Sequence, residues 1–222
     1  MAGDSANAEG RPLHIIYPDP FFAERRRAAT AMRAAGNALV GHHQEPEVLG
    51  ELADLLEGFV ERLEQGAARA RPEDYMRRRL TDPSPADGSE LLAFVDRTVS
   101  GPANPFATEM SLHIDREDMV GTVVFGSAFE SAPQRAHGGM VSAVVDDVIG
   151  HLMIAKGIPA YTAELTVRYL AGVPLHEPIE FRARIRSFEG RKIVIEAEGR
   201  ADEVRFVEAE SLFITIPPDR LG

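Results

Sequence analysis

The sequence predicts an α+β fold in which a curved antiparallel sheet wraps around one long helix. Three observations support this prediction. The hydrophobic period changes from helical to alternating after residue 105, a strongly apolar helix follows at 138–155, and four long alternating segments come after it. A helix that is apolar on nearly every side must be enclosed by a sheet, because its side chains cannot face water.

The composition excludes several classes of protein. The chain has 222 residues and no cysteine, which rules out disulfides, thiolate nucleophiles and thiolate metal sites. A net charge of −11 argues against nonspecific binding to nucleic acid. No unbroken apolar run reaches the roughly 18 residues of a membrane span, and the first twelve residues lack the regions of a signal peptide. We therefore expect a cytoplasmic protein without membrane insertion.

The first hundred residues predict a helical N-terminal extension at 1–100, ahead of a second domain at 101–222. The predicted parts of the extension are an extended arm at 1–20, helices at about 21–35 and 48–70, and a loop at 81–88. The helix at 48–70 carries leucines at three- and four-residue spacing, and an isolated helix of this length is unstable in water. We therefore expect its apolar face to dock on the second domain or on a partner subunit, and to border the substrate pocket.

The second domain is predicted to contain six strands. They lie at about 110–114, 119–126, 160–171, 178–188, 191–201 and 204–216. Glu189-Gly190 and Asp202-Glu203 fall where tight hairpin turns are needed. In the strand from residue 160, strict alternation places Thr162 on the side that faces away from the helix. A six-stranded sheet leaves open edges, so we expect a homodimer or a homotetramer.

The most informative motif is His137-Gly138-Gly139, at the start of the long helix. Two glycines let a substrate approach the backbone closely, and a helix N-terminus offers unpaired N–H groups to an oxyanion. For His137 we predict a hydrogen-bonding or turn-positioning role. A metal site is not expected, because no further ligands lie at metal spacing nearby.

Two adjacent aspartates lie further along this helix, and a helical wheel separates them. Asp146 falls on a mostly apolar stripe of the helix, whereas Asp147 lies on a more polar face. An unpaired carboxylate is costly to bury on an apolar face, which favours a functional role for Asp146. For Asp147 the default interpretation is a solvated side chain or a salt bridge.

With these residues placed, the strings AHGGMVSAVVDDVIG and AYTAELTVRYLAGVPL resemble hotdog-fold acyl-CoA thioesterases of the phenylacetate-pathway (PaaI-type) branch. That family carries an acidic residue nine positions after the motif histidine, here Asp146, and a Ser or Thr on the next strand, here Thr162. Many members carry Asn or Gln six residues before the histidine, where this chain has Ser131. The resemblance covers about residues 100–217, and FESAPQRAHGG resembles members with an N-terminal extension.

The resemblance implies hydrolysis of a fatty or aryl acyl-CoA thioester to a free acid and CoA. In that interpretation the Gly139 N–H binds the thioester oxygen, and Asp146 acts as general base or as nucleophile. Thr162, from the partner subunit, orients the water or the carboxylate. No metal or redox cofactor is implied, and CoA enters only as part of the substrate. The residues expected to contact substrate, in the turn or along an acyl tunnel between subunits, are Gly138, Ser131, Val141, Ser142, Ile149 and Met153.

Two other functions remain open at this point. A non-catalytic acyl-CoA-binding or sensing module would keep the pocket and the glycine turn but would not need Asp146. A hotdog hydratase or dehydratase would need an Asp/His pair at its own spacing, and the sequence shows no such motif.

Overall fold

An eight-stranded sheet organises the chain in the computed structural model, which describes residues 10–81 and 84–220. The strand order is β1-β2-β3-β4-β8-β9-β10-β7, and β5 and β6 form a separate hairpin. The strands are β1 (Leu13–Tyr17), β2 (Glu90–Phe94), β3 (Glu109–Asp115), β4 (Asp118–Val124), β5 (Glu130–Ala132), β6 (Arg135–Ala136), β7 (Ala160–Tyr169), β8 (Pro178–Glu189), β9 (Lys192–Ala201) and β10 (Val204–Thr215). The helices are α1 (Phe22–Gly41), α2 (Pro46–Glu64), α3 (Tyr75–Thr81) and α4 (Gly138–Ala155).

The central helix α4 spans the residues predicted from the sequence. Its C-terminus is closed by Gly157 in the left-handed region, with φ +64°. The Gly157 N–H donates to the Ile154 carbonyl and the Ile158 N–H to the Met153 carbonyl, which is the Schellman arrangement. Within the described ranges, α4 is the helix with the length and composition of a membrane span, but most of it is buried, as expected of a core helix.

Strands β3, β4, β7, β8, β9 and β10 form the predicted antiparallel sheet around α4. Val144, Val145 and Val148 of α4 are completely buried against it. The two long hairpins turn where predicted, with positive φ at Gly190 and Asp202. The α+β prediction is therefore confirmed for this half of the chain.

The N-terminal extension contributes strands as well as helices, which the sequence analysis missed. β1 pairs in parallel with β2, and β2 pairs with β3, so the extension lengthens the sheet at one edge. The arm predicted at 1–20 is thus partly a strand, while its first nine residues lie outside the described part. Leu91 and Ala93 of β2 are fully buried in the common core. The boundary near residue 100 stays a prediction.

Helix α2 is not buried against the described remainder of this chain. It is shorter than the predicted 48–70, and none of its residues is buried. Its exposed apolar side chains are Val48, Leu49, Leu55, Leu56, Phe59, Val60 and Leu63. The prediction that this stripe packs on the second domain is wrong for the single chain. Docking on a partner subunit stays a prediction.

Candidate active site

The start of α4 is capped by its own histidine. His137 has extended backbone angles, and its Nδ1 accepts a hydrogen bond from the Gly139 N–H at 3.0 Å. An imidazole nitrogen that accepts carries no proton, so a neutral His137 holds its proton on Nε2. The cap supports the predicted turn-positioning geometry of His137. It also occupies the Gly139 N–H that we expected to face the substrate, so that N–H becomes available only when the ring moves.

Tyr169 joins this turn, although the sequence analysis did not select it. Its hydroxyl donates to the Gly138 carbonyl at 2.7 Å and lies 2.5 Å from the Ser142 Oγ. A Cβ atom at Gly138 would lie 3.4 Å from the Tyr169 ring, so the tyrosine packs directly on the glycine. The available signal was alternation, because Leu165, Val167 and Tyr169 share the strand face that points towards α4.

Asp146 and Thr162 meet within one chain. The Thr162 Oγ1 donates to the Asp146 Oδ1 at 3.2 Å, and both side chains are exposed. The expectation that Thr162 faces away from the helix is wrong because of a β-bulge. Along β10, Leu212 pairs with Glu164 and the next residue pairs with Thr162, so the alternation of β7 shifts by one residue. The contact also removes the need for a partner subunit to supply Thr162.

Asp147 forms a salt bridge, which is one of its two predicted interpretations, but it is buried and not among solvent-exposed polar positions. Its side chain is 5 % exposed, and its Oδ1 accepts from the Arg97 Nε at 3.0 Å and Nη2 at 2.5 Å. His151, fully buried one turn later, donates from Nδ1 to the Asp147 carbonyl at 2.8 Å. The helical wheel placed Asp147 among polar positions of α4, but Arg97 of the extension covers that face of the helix and shields it from solvent.

The surroundings of Asp147 keep its carboxyl group ionised. Burial alone raises the pKa of this group, but His151, Arg97 and Ser100 outweigh burial and lower the pKa below its ordinary value. The pKa of the Arg97 guanidinium is raised above its ordinary value. Burial lowers this pKa, but the neighbouring Asp147 carboxylate raises it by more. The pair is therefore a fixed ionic contact, and Asp147 is poorly suited to exchanging protons with a substrate.

Three residues predicted to line an acyl tunnel lie in the hydrophobic core instead. Val141, Ile149 and Met153 are at most 1 % exposed, because the sheet closes over their side of α4. Within one chain they border no cleft, and their predicted contact with an acyl chain between subunits stays a prediction. Ser142 is partly exposed at the glycine turn, and Ser131 lies exposed on β5.

A cleft of about 510 Å³ opens beside Asp146. Its lining residues are Arg71, Pro72, Tyr75, Phe94, Arg97, Thr98, Val99, Ala143, Asp146 and Asp147. This volume falls within the roughly 300–1,000 Å³ typical of small-molecule sites. Among the described residues, no group of three His, Asp or Glu side chains is placed to hold a metal ion.

The glycine turn and the carboxylate occupy one face of α4 at different heights. Gly139 and Asp146 are seven positions apart, which is close to two turns and about 10.5 Å along the axis. A thioester oxygen held at the turn therefore leaves a gap between its carbonyl carbon and Asp146. One water molecule spans only about 5–6 Å between two hydrogen-bonded partners, which is less than this separation. Two copies of the chain can bring the two groups together.

Comparison with known families identifies the domain that carries these groups. Residues 134–208 match the family model described as the thioesterase superfamily. The chain carries a hotdog domain of the thioesterase superfamily. The matched residues contain every candidate site residue predicted from the sequence except Ser131, which lies just before them.

Two curated relatives and one solved structure illustrate the extent of the similarity. Acyl-coenzyme A thioesterase THEM4 of Mus musculus is 27% identical over 97 residues, which cover 43% of this chain and 42% of that protein. THEM4 of Xenopus laevis is 30% identical over 95 residues, covering 42% of this chain and 43% of that protein. The match thus spans less than half the length of either relative.

The solved structure extends the similarity into the N-terminal half. It is a crystal structure described as a thioesterase superfamily protein, with 28% identity and a TM-score of 0.72. The alignment covers 86% of this chain and 90% of that one. The extension is therefore part of a fold shared with that protein, and it is not an addition peculiar to this chain.

Proposed function

We propose that this protein hydrolyses acyl-CoA thioesters to a carboxylic acid and CoA. The observation that carries the proposal is the hydrogen bond between Thr162 and Asp146, two turns beyond the glycine turn and inside the thioesterase-superfamily domain. The THEM4 relatives are acyl-coenzyme A thioesterases by name, which supports the substrate class.

In the proposed reaction Asp146 acts as general base. A water molecule held between Asp146 and the thioester gives a proton to the carboxylate, and its oxygen bonds to the carbonyl carbon. The carbonyl oxygen gains charge, which N–H donors at the start of α4 stabilise. When the tetrahedral intermediate collapses, the C–S bond breaks and the CoA thiolate takes up a proton. Direct attack by Asp146 is the alternative route: a carboxylate oxygen bonds to the carbonyl carbon, the C–S bond breaks, and water then hydrolyses the resulting anhydride.

Thr162 and the residues around the turn have supporting roles in this mechanism. The Thr162 hydroxyl fixes one oxygen of Asp146, which leaves the other oxygen for water. His137 caps the helix in the free protein, and when its ring turns away it releases the Gly139 N–H to the thioester oxygen. Tyr169 secures the carbonyl of Gly138 and thereby the orientation of the first peptide groups of α4.

We further propose that the working form is a homodimer or a homotetramer with composite sites. Asp146 and Thr162 of one subunit would act with the partner subunit's Gly139. The resemblance implies sites between subunits, and the axial gap between the two groups agrees with that arrangement. The exposed edge strand β7 offers an unpaired row of backbone groups to a second copy.

A thiol-release assay tests the proposed activity. The purified full-length chain is incubated with acyl-CoAs that carry acetyl, hexanoyl, palmitoyl, benzoyl and phenylacetyl groups, and free CoA is measured with a thiol reagent. We expect stoichiometric release of CoA from at least one member. Binding of acyl-CoA without any release would instead support the non-catalytic binding module.

Mixed oligomers test whether the site is composite. Gly139→Pro removes the N–H donor at a helix position that tolerates proline, and Asp146→Asn removes the base. Dimers refolded from equal amounts of the two inactive variants should recover about a quarter of wild-type activity, because half are mixed and each of those has one intact site. No recovery in verified mixed dimers would place both groups of a site in one subunit.

A further inference from the structure

The cleft beside Asp146 is built mainly by the N-terminal extension. Seven of its ten lining residues precede residue 100, outside the matched thioesterase residues 134–208. Only Ala143, Asp146 and Asp147 come from α4. Any ligand that reaches Asp146 from this side therefore meets side chains that the matched domain does not itself contain.

The inner wall of the cleft consists of aromatic rings held in place by one another. Phe94 is buried and stacks on Tyr17 at 4.6 Å between ring centroids, and it packs against Tyr75 at 5.0 Å. The guanidinium of Arg71 lies 4.2 Å from the centre of the Phe94 ring and also pairs with Asp96. A wall fixed in this way presents a rigid aromatic surface to the cleft, on which a flat acyl group can stack.

The charges around the cleft are already matched. Arg97 is held by Asp147, and Arg71 is held by Asp96. Within the described ranges, Asp146 is the lining carboxylate for which no cation lies at ion-pair distance. The cleft therefore offers aromatic and small apolar surface next to a carboxylate that is available to water. Both of its lining arginines are already paired with carboxylates, so the cleft is not suited to an anionic ligand.

We propose that this cleft is the acyl pocket, and that the extension residues Tyr75, Phe94 and Val99 determine which acyl groups are accepted. The aromatic wall suits an aromatic acyl group, which can stack on it, more than a straight aliphatic chain. The proposal rests on the thioesterase function, and it replaces the core-buried residues Ile149 and Met153 as the determinants of acyl selectivity.

Two substitutions change the cleft in opposite directions. Thr98 is an exposed residue of the lining, so Thr98→Trp fills the cleft without disturbing the core. We expect kcat/KM for phenylacetyl-CoA to fall at least about tenfold relative to acetyl-CoA, mainly through KM, the scale of an altered apolar pocket. Val99→Ala enlarges the pocket, and it should raise kcat/KM for hexanoyl-CoA severalfold relative to acetyl-CoA.

Thr30→Trp is the matched control, because Thr30 is an exposed threonine of the extension that lies outside the cleft. Its ratio of phenylacetyl-CoA to acetyl-CoA activity should equal that of the wild type. If Thr98→Trp remains active and keeps the wild-type ratio as well, the cleft is not the acyl pocket, although the thioesterase function stands.

Failure of the proposed function gives a different result. If the wild type releases no CoA from any substrate, calorimetry with a non-hydrolysable thioether analogue of phenylacetyl-CoA measures binding directly. Binding by the wild type and the Thr30→Trp variant that is lost in Thr98→Trp supports the cleft as the acyl site. Equal binding by all three proteins, or no binding by the wild type, overturns it.

Discussion

The two adjacent aspartates of α4 have the same chemistry and opposite environments. Asp146 is exposed and accepts one hydrogen bond from Thr162, whereas Asp147 is buried and paired with Arg97. One residue along a helix rotates the side chain by about 100°, which is enough to move a carboxylate from an exposed position to a buried contact with Arg97. The comparison separates a group placed for chemistry from a group placed for stability.

The largest expected effect is the loss of stability in Asp147→Ala. This change leaves the guanidinium of Arg97, whose side chain is only 25 % exposed, without its carboxylate. Removing one partner of a fully buried ion pair typically costs about 3–5 kcal/mol of unfolding free energy, and the partial exposure of Arg97 places the expected loss at the lower end of that range. Asp146→Ala loses one exposed hydrogen bond and should cost no more than about 1 kcal/mol. Urea unfolding of both variants measures the difference. Similar losses in the two variants would contradict the assignment of separate roles.

The acid sensitivity of the protein should depend on Asp147. Because the pKa of Asp147 is lowered in the folded state, its ionic contacts stabilise the protein above the unfolded pKa of about 3.9. That contribution is lost as the pH falls through the lowered folded pKa. In urea unfolding between pH 7 and pH 2, the stability advantage of the wild type over Asp147→Asn should shrink at the acid end. An advantage that stays constant over this range would contradict the ionic contribution of Asp147.

Tyr169→Phe should have a smaller effect, confined to turnover. The substitution removes the hydroxyl that binds the Gly138 carbonyl and Ser142, and a hydrogen bond of this kind is worth about 0.5–1.5 kcal/mol. We expect kcat to fall by about two- to twelvefold, with KM little changed. Tyr161→Phe is the control, since Tyr161 is an exposed tyrosine of the same strand. If Tyr161→Phe lowers kcat by the same factor, the loss is not specific to the hydroxyl of Tyr169.

The sequence was most informative where local pattern decides structure. The bounds of α4, the two hairpin turns and the long strands follow from hydrophobic period and turn residues, which act over a few positions. The pairing of Asp146 with Thr162 was anticipated through the resemblance, although its geometry within one chain was not. Thr162 reaches α4 because of a bulge, and alternation alone cannot reveal a bulge.

The remaining features depend on contacts between distant parts of the chain. Arg97 lies fifty positions before Asp147, and no periodic pattern connects them. The strands β1 and β2 are short and belong to a region whose composition favours helices and loops. The same limit applies to Ile149 and Met153, because a wheel shows that they are apolar but not that the sheet closes over them.

The most direct test of the account compares turnover in Asp146→Asn and Asp147→Asn, with both rates corrected for the folded fraction of each protein. If Asp146 activates water, Asp146→Asn should lower kcat at least about a hundredfold, the scale of losing a general base. Asp147→Asn should change kcat less than about tenfold, because its effect is on stability. Wild-type turnover in Asp146→Asn, or an equal loss in the two variants, would contradict the account.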